Sequence, residues 1–197
     1  MGIPNQHPTI SVEEYLRGEP LSEVRHEYMD GAVIAMAGGS RAHNAISLNF
    51  ASELRQHLRG KPCEVFMADV KARVLAHQQD TFYYPDVMVG CDERDTNDLY
   101  LRFPKLIIEV LSESTERVDR NEKFLRYITI PTLEEYVLAE QKRPAVTIFR
   151  RRAEWAKEEI TDPAALVHLE SVGLTLPLVA FYMNIAWTGD KEKSDAG

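Results

Sequence analysis

The sequence predicts an α/β domain, and three local patterns carry that prediction. Asp30-Gly31 separates two short strand-like runs, as in a hairpin with a two-residue turn. An apolar stripe with helical spacing follows Ser40. Further along, two apolar runs of strand length are each interrupted by one carboxylate, Asp86 or Glu109. Helical and strand-like patterns therefore occur in one chain, with no internal repeat and no visible linker between domains.

The amino-terminal elements have clear start signals. Ser11 and Glu14 form a capping box for a short helix over Val12 to Arg17. The hairpin is expected to pair Val24 to Met29 with Ala32 to Ala37. These elements place one helix and two strands before the first long helix.

The first long helix is expected from Arg41 to Leu58. Ser40 can cap its amino terminus, and Gly60 and Pro62 end it. Its apolar stripe would pack on a sheet, and the stripe consists of Ile46, Phe50, Leu54 and Leu58.

Three strands are expected next, over Glu64 to Leu75, Phe82 to Gly90 and Lys105 to Ser112. Alternation in the first strand places Asp69 and Lys71 on one face. The second and third strands contain Asp86 and Glu109. Three consecutive strands would thus carry acids that face inward.

The remaining elements follow a turn of capping residues. A helix is expected over Arg117 to Thr129, with Pro131 as its stop. Strands then follow at Glu135 to Ala139, Val146 to Arg151, Trp155 to Ile160 and Val167 to Ser171, with a last helix over Leu178 to Ile185. We expect one domain over residues 1–187 and a disordered polar tail over 188–197.

Composition excludes several classes of protein. The chain has 197 residues, 44% of them hydrophobic, and no apolar run of the ~20 residues needed to cross a bilayer. A net charge of −8 argues against a protein that coats nucleic acid non-specifically. Cys63 and Cys91 are too few and too far apart along the chain for a disulfide framework or a zinc knuckle, so we expect reduced thiols and a reducing, cytoplasmic location.

Asp86 and Glu109 point to a metal site. An ionised acid within a core strand is costly to desolvate unless something pairs with it, and a divalent cation between two acids removes that cost. The competing interpretation is a pair of ordinary acids at strand ends, because short motifs often match by chance.

Six blocks in order match a known family. They are His26-Glu27-Tyr28-Met29-Asp30-Gly31, Gly38-Gly39-Ser40 with His43, Asp69-Val70-Lys71, Tyr84-Pro85-Asp86-Val87, Ile108-Glu109-Val110-Leu111-Ser112 with Ser114-Thr115, and Asp119 to Lys123. Together they closely resemble the Uma-type endonuclease family, which belongs to the restriction-endonuclease-like PD-(D/E)xK superfamily. The resemblance runs from about Thr9 to Tyr182 and implies a mixed central sheet flanked by helices, with an amino-terminal β-hairpin.

The resemblance also implies a chemistry. Asp86 and Glu109 would bind Mg²⁺ or Mn²⁺, and Glu27 resembles an additional acid that contacts metal or water. The expected activity is metal-dependent hydrolysis of phosphodiester bonds in DNA by an endonuclease. A homodimer is expected, because one such site cuts one strand and twofold pairing gives symmetric cleavage of a duplex.

The catalytic lysine departs from the superfamily pattern, because Leu111 occupies the strand position where that lysine is usual. Lys123 matches a lysine of this family on the following helix and could neutralise charge in the transition state. Lys71 competes for this role: with Asp69 it could line the cleft, or form only a surface ion pair. Lys123 is favoured, because its helix directly follows the Glu109 strand.

Three other interpretations remain open. His43 could contact DNA or take part in catalysis, although such histidines are more often structural. A catalytically silent DNA-binding or mobile-element-associated module could keep the fold, but the presence of both Asp86 and Glu109 argues against it. A metal-dependent phosphodiesterase for small substrates would suit the charge of −8.

Overall fold

The computed structural model describes residues 9–76, 78–113 and 115–185. The predicted tail at 188–197, the predicted boundary at 187 and Ser114 lie outside these residues. Within them the strands are β1 (His26–Met29), β2 (Ala32–Ala35), β3 (Glu64–Phe66), β4 (Lys71–Ala76), β5 (Gln79–Tyr83), β6 (Val87–Gly90), β7 (Tyr100–Leu101), β8 (Pro104–Leu111), β9 (Glu135–Glu140), β10 (Val146–Arg150), β11 (Lys157–Ile160), β12 (Leu166–Leu169) and β13 (Leu174–Pro177).

The helices are fewer than the strands. They are α1 (Val12–Gly18), α2 (Arg41–His57) and α3 (Phe124–Tyr127), with a π-helical segment at Val118–Lys123 and 3-10 turns at Glu19–Leu21, Arg151–Ala153 and Leu178–Tyr182. The capping box of α1 and the Ser40 cap of α2 are both present, so these start signals are confirmed. Within the described residues, no helix has the length and apolar character needed to cross a bilayer.

The larger sheet is mixed and carries the candidate site. Its six strands are ordered β11-β10-β9-β8-β6-β3, and β8 and β9 are parallel while the other neighbours are antiparallel. Helix α2 covers one face, where Phe50 and Leu54 join Val87 and Ile108 in a buried apolar core. This α/β arrangement confirms the predicted fold class.

A second sheet covers the other face. Its five strands are ordered β2-β1-β5-β4-β7, and Val74 and Tyr83 pack against Met88 and Ile107 of the larger sheet. The predicted hairpin is its edge, and β1 pairs with β2 around Asp30-Gly31. Both turn residues have positive φ, 49° and 90°, as a type I′ turn requires.

Two predicted long strands are each broken in two. The run from Glu64 to Leu75 ends at Phe66 and resumes at Lys71 in the other sheet, because the chain turns at Ala68, whose φ is 58°. The run from Phe82 to Gly90 is likewise split between β5 and β6, and Pro85 lies in the gap. Asp86 therefore precedes a strand instead of lying inside one, and Asp69 does not face inward.

The carboxyl-terminal half of the chain agrees more closely with the elements predicted from the sequence. Strands β9 and β10 lie where they were predicted, while the predicted Arg117 to Thr129 helix contains a π-helical turn before α3. Strand β13 was not predicted. The predicted last helix is only a 3-10 turn ending at Tyr182, and the described chain continues in extended form at Met183.

The predicted free thiols are wrong, because Cys63 and Cys91 form a disulfide. Glu64 pairs with Gly90 in the antiparallel β3–β6 ladder, so the cysteines just beyond that pair face each other, 4.2 Å apart between Cα atoms. Separation along the chain therefore gave no guide to pairing across the sheet. Free thiols therefore no longer support a reducing compartment, and a cytoplasmic location stays a prediction.

Candidate active site

Asp86 and Glu109 meet at one end of the larger sheet. Strands β6 and β8 are antiparallel, and Val87 lies opposite Ile108. Asp86 precedes Val87 and Glu109 follows Ile108, so this pairing brings the two acids together. The backbone N–H of Asp86 donates to Glu109 Oε2 at 3.2 Å, and the N–H of Val110 donates to Asp86 Oδ2 at 2.7 Å. Each carboxylate is thus oriented by a backbone N–H of the segment that contains the other acid.

Glu109 is a buried acid with polar contacts on both oxygens. Its side chain is 3% exposed, and Oε1 accepts from the Tyr127 hydroxyl at 3.0 Å and from Lys123 Nζ at 3.3 Å. Burial raises the pKa of Glu109 well above its ordinary value, although the positive charge of Lys123 opposes this rise. The ionised form of Glu109 is therefore unfavourable at this site unless a nearby positive charge compensates it.

Lys123 lies among three carboxylates. Its Nζ is 2.9 Å from Glu27 Oε1, 3.3 Å from Glu109 Oε1 and 3.3 Å from Asp119 Oδ1. Burial alone would lower the pKa of Lys123, but these acids raise it well above the ordinary value. Lys123 is therefore a fixed positive charge and cannot act as a base near neutral pH.

The surrounding acids exceed the available positive charge. Four acids that contact either each other or Lys123 form what we call the acid group: Glu27, Asp86, Glu109 and Asp119. Among the described residues, Lys123 supplies the one ammonium within ion-pair distance of the acid group. Burial also raises the pKa of Asp119. Glu27 Oε1 and Asp119 Oδ1 are buried without a well-directed hydrogen bond.

His43 contacts this acid group from helix α2. Its Nε2 lies 3.2 Å from Asp86 Oδ2, and this hydrogen bond raises the pKa of His43. Gly39 allows the ring to take this position, because a Cβ atom there would lie only 2.9 Å from His43 Nδ1. The structure thus brings together five of the site residues named from the sequence, which are Asp86, Glu109, Lys123, Glu27 and His43.

Asp69 and Lys71 lie apart from these acids, and neither of the two alternatives considered for them, a shared place in the cleft or a surface ion pair, is found in the described part of the chain. Asp69 is exposed in the turn after β3 and pairs with Arg25 at 2.5 Å. Lys71 is buried at the start of β4 and donates to the Tyr84 hydroxyl at 3.2 Å. Burial lowers the pKa of Lys71. The two side chains diverge because the turn at Ala68 breaks the predicted strand.

The acids open into a cleft of about 620 Å³. Its floor includes Asp86, Glu109 and Asp119, and one wall is the loop of Gly38 and Gly39 before α2. The Ser40 hydroxyl bridges the rim by donating to Gln141 Oε1 at 2.7 Å. Such a cleft can admit an extended polar substrate to the acid group.

Two contributors were not assigned a role from the sequence. Asp119 contacts Lys123, and Tyr127 donates to Glu109. Asp119, Lys123 and Tyr127 recur at intervals of four residues, the spacing that places side chains on one helical face. That spacing was the available signal.

Basic residues gather in two clusters along the sequence, at 117–126 and at 142–152, and these clusters do not form a bare cationic surface. Each member contacts an acid or a neutral acceptor in the described structure, and the members are Arg117, Arg120, Lys123, Arg126, Lys142, Arg143, Arg150, Arg151 and Arg152. The buried Arg150–Glu135 pair, at 2.8 Å, holds β10 to β9. The positive charges of these clusters are thus matched by nearby acids or by neutral acceptors.

Comparison with solved structures supports the class of fold. The crystal structure of "a putative nuclease belonging to DUF820" from Anabaena variabilis ATCC 29413 superposes with a TM-score of 0.74. The match covers 88% of this chain and 97% of that chain at 20% sequence identity. The protein thus has a restriction-endonuclease-like α/β fold.

The family follows from the sequence comparisons. The model of the family described as "Uma2: Putative restriction endonuclease" matches residues 12–179. Two proteins of Synechocystis sp. (strain ATCC 27184 / PCC 6803 / Kazusa) are also similar: uncharacterized protein slr1290 is 34% identical over 91% of this chain and 95% of its own length, and sll1609 is 35% identical over 67% and 75%. The chain belongs to the Uma2 family, within the PD-(D/E)xK superfamily.

Proposed function

We propose that the protein is a metal-dependent endonuclease that hydrolyses phosphodiester bonds in DNA. The observation that carries the proposal is the excess of buried carboxylates over positive charge around Asp86 and Glu109. Membership of the Uma2 family and the nuclease named in the Anabaena structure support the same reaction class.

The residues fit a hard divalent cation. Asp86 and Glu109 would hold Mg²⁺ or Mn²⁺, which take carboxylate oxygens and commonly keep several waters as well. Among the described residues, no group of three or more His, Cys, Asp or Glu side chains is placed to hold a metal ion. When bound, such a cation polarises the phosphoryl oxygen and lowers the pKa of a water.

The protein's own groups would supply orientation and charge. Lys123, held by Glu27, Glu109 and Asp119, would neutralise negative charge that develops on the phosphoryl group. His43 would keep the Asp86 carboxylate in place through its 3.2 Å contact. Glu27 would contact the metal or a water while its Oε1 keeps the 2.9 Å ion pair with Lys123.

A homodimer belongs to the same proposal. One acid group serves one strand, so two copies related by a twofold axis would cut both strands of a duplex. Light scattering should then give a mass of about twice the 22.5 kDa chain. A single-chain mass maintained at high protein concentration would contradict the dimer, but it would not contradict the proposed hydrolysis of phosphodiester bonds.

A substrate screen tests the activity. Supercoiled plasmid, single-stranded DNA, RNA and a small phosphodiester should each be incubated with Mg²⁺, Mn²⁺ or Ca²⁺ and with EDTA. We expect plasmid cleavage with Mg²⁺ or Mn²⁺ and none with EDTA. Asp86→Asn keeps the shape of the side chain but removes its charge, and it is the control for a contaminating nuclease.

The other outcomes identify the alternatives. Cleavage of the small phosphodiester without cleavage of plasmid would indicate a small-substrate phosphodiesterase. Binding of DNA without cleavage under any metal would indicate a silent DNA-binding module. Either result would contradict the proposed endonuclease.

A further inference from the structure

A third basic region, between α2 and β3, differs from the two neutralised clusters. An open groove of about 750 Å³ runs between the carboxyl-terminal half of α2 and the edge strand β3. Arg55, Arg59 and Lys61 line it and are all exposed, and Glu64 is the one acid in its lining. The groove therefore carries an excess of two positive charges on a protein whose net charge is −8.

The charges in this groove are available to a ligand. Within the described residues, Arg55 and Arg59 make neither an ion pair nor a side-chain hydrogen bond, while Lys61 contacts only the His57 ring, at 2.9 Å between Nζ and Nε2. Elsewhere the exposed cations Arg117, Arg143 and Arg152 all pair with acids. Unpaired cations attract phosphates more effectively, because no acid has to be displaced first.

The fold connects the groove to the cleft. Phe66 at the end of β3 lies opposite Met88, two residues after Asp86, and Phe66 lines the groove. Two residues later, Ala68 lines the cleft. Neighbouring residues of one segment thus line the groove and the cleft, and Phe66 marks the end of the groove that is nearer to the acids.

Helix α2 gives the length of this path. His43 contacts Asp86 at the amino-terminal end of α2, and Arg55 lies twelve residues further along it. At 1.5 Å per residue this separation is ~18 Å. One strand of duplex DNA advances 3.4 Å per base pair, so the same distance spans about five base pairs.

We propose that the groove binds the sugar-phosphate backbone of duplex DNA about five base pairs from the scissile phosphate. This inference rests on the proposed endonuclease function and extends it by naming where the flanking substrate lies. Charge complementarity and continuity with the cleft favour DNA over an acidic protein. Glu64 of β3 would repel phosphates, so the DNA backbone would bind along the side of the groove that α2 forms.

Binding measurements test the groove separately from catalysis. A variant carrying Arg55→Gln, Arg59→Gln and Lys61→Gln would be compared with wild type by fluorescence anisotropy on a labelled duplex in Ca²⁺. A second variant, with Arg117→Gln, Arg143→Gln and Arg152→Gln, removes the same net charge from paired positions. Thermal melting checks that both variants are folded, and Arg55→Glu alone provides a second, single-site probe.

We expect the groove variant to bind duplex about 10- to 100-fold more weakly at about 100 mM salt, with the slope of log K against log salt reduced by ~2 to 3. The matched variant should change both quantities much less. Wild type should also lose affinity when the duplex extends fewer than about five base pairs beyond the cleavage point. Arg55→Glu should weaken binding in the same direction.

Three results would overturn the inference. Equal losses in the two triple variants would mean that net charge alone matters, and an unchanged slope in the groove variant would mean that DNA lies elsewhere. In both cases wild-type cleavage of plasmid with Mn²⁺ would leave the endonuclease intact. If wild type neither binds nor cleaves DNA, the proposed function and the groove inference fail together.

Discussion

Lys123 Nζ lies 3.3 Å from Glu109 Oε1, although the two residues come from different elements, a π-helical segment and strand β8. The strand position two residues after Glu109 is occupied by Leu111, which is buried in the apolar core between the sheets. A lysine on the following helix thus reaches the acid that a lysine on the strand would otherwise approach. Asp119, one helical turn earlier, holds it there.

The first prediction concerns this lysine. Lys123→Ala should lower turnover on DNA by about 10²- to 10³-fold, since it removes a positive charge positioned for the transition state. Lys71→Ala should leave turnover near normal, because Lys71 contacts Tyr84 and lies outside the acid group. Both variants should be assayed at saturating Mn²⁺ on one substrate.

Stability must be separated from catalysis in that comparison. Removing Lys123 leaves buried acids without their cation, so thermal melting and Mn²⁺ affinity should be measured beside turnover. Folded Lys123→Ala that still binds Mn²⁺ but does not cleave supports the assignment. Near-normal cleavage by Lys123→Ala, with loss of cleavage in Lys71→Ala, would transfer the role to Lys71.

The second prediction concerns pH and stability. Burial raises the pKa of Glu109 above 4.5, so the folded protein holds this proton more tightly than the unfolded chain does. Wild type should therefore lose stability through this acid as pH rises above that value. Glu109→Gln cannot ionise and escapes this loss. Its free energy of unfolding, relative to wild type, should increase between about pH 5 and pH 8.

Urea denaturation without added metal measures this difference. Any constant effect of the substitution on hydrogen bonding cancels when the two proteins are compared across pH. Mn²⁺ should stabilise wild type more at the higher pH and should have little effect on Glu109→Gln. A difference that stays constant with pH would show that Glu109 ionises normally in the fold.

The third prediction concerns the disulfide between Cys63 and Cys91, which are 28 residues apart. Closing a loop of that length restricts the unfolded chain, so Cys63→Ala with Cys91→Ala should lower the free energy of unfolding by about 3 to 4 kcal/mol. Dithiothreitol should lower the stability of wild type to a similar extent and leave the double variant unchanged. Two reactive thiols in the native, unreduced protein would instead restore the free cysteines expected from the sequence.

Local signals in the sequence predicted most helix starts and the hairpin, because Ser11, Ser40 and Asp30-Gly31 act through neighbouring backbone atoms. They did not predict the break at Ala68. Alternation of apolar residues continued across it, although Phe66 and Lys71 belong to different sheets. The disulfide was missed for the same reason, since only the β3–β6 register brings Cys63 to Cys91.

The sequence predicted most residues of the candidate site, but it did not predict the site's geometry. The pattern of acids within apolar runs identified Asp86 and Glu109, resemblance to the family added Lys123 and Glu27, and the structure brings these side chains together. Spacing alone could not show that Asp69 turns away to Arg25, because that depends on the chain's path between the two sheets.

Anomalous diffraction from crystals soaked in Mn²⁺ would show whether Asp86 and Glu109 bind one cation. We expect one strong peak between Asp86 and Glu109, with ligand oxygens roughly 2.0–2.6 Å from the ion and with the peak lost in Asp86→Asn crystals. A well-ordered soaked crystal in which the two carboxylates lie more than about 8 Å apart, or in which Mn²⁺ binds elsewhere and leaves this pair empty, would contradict this expectation.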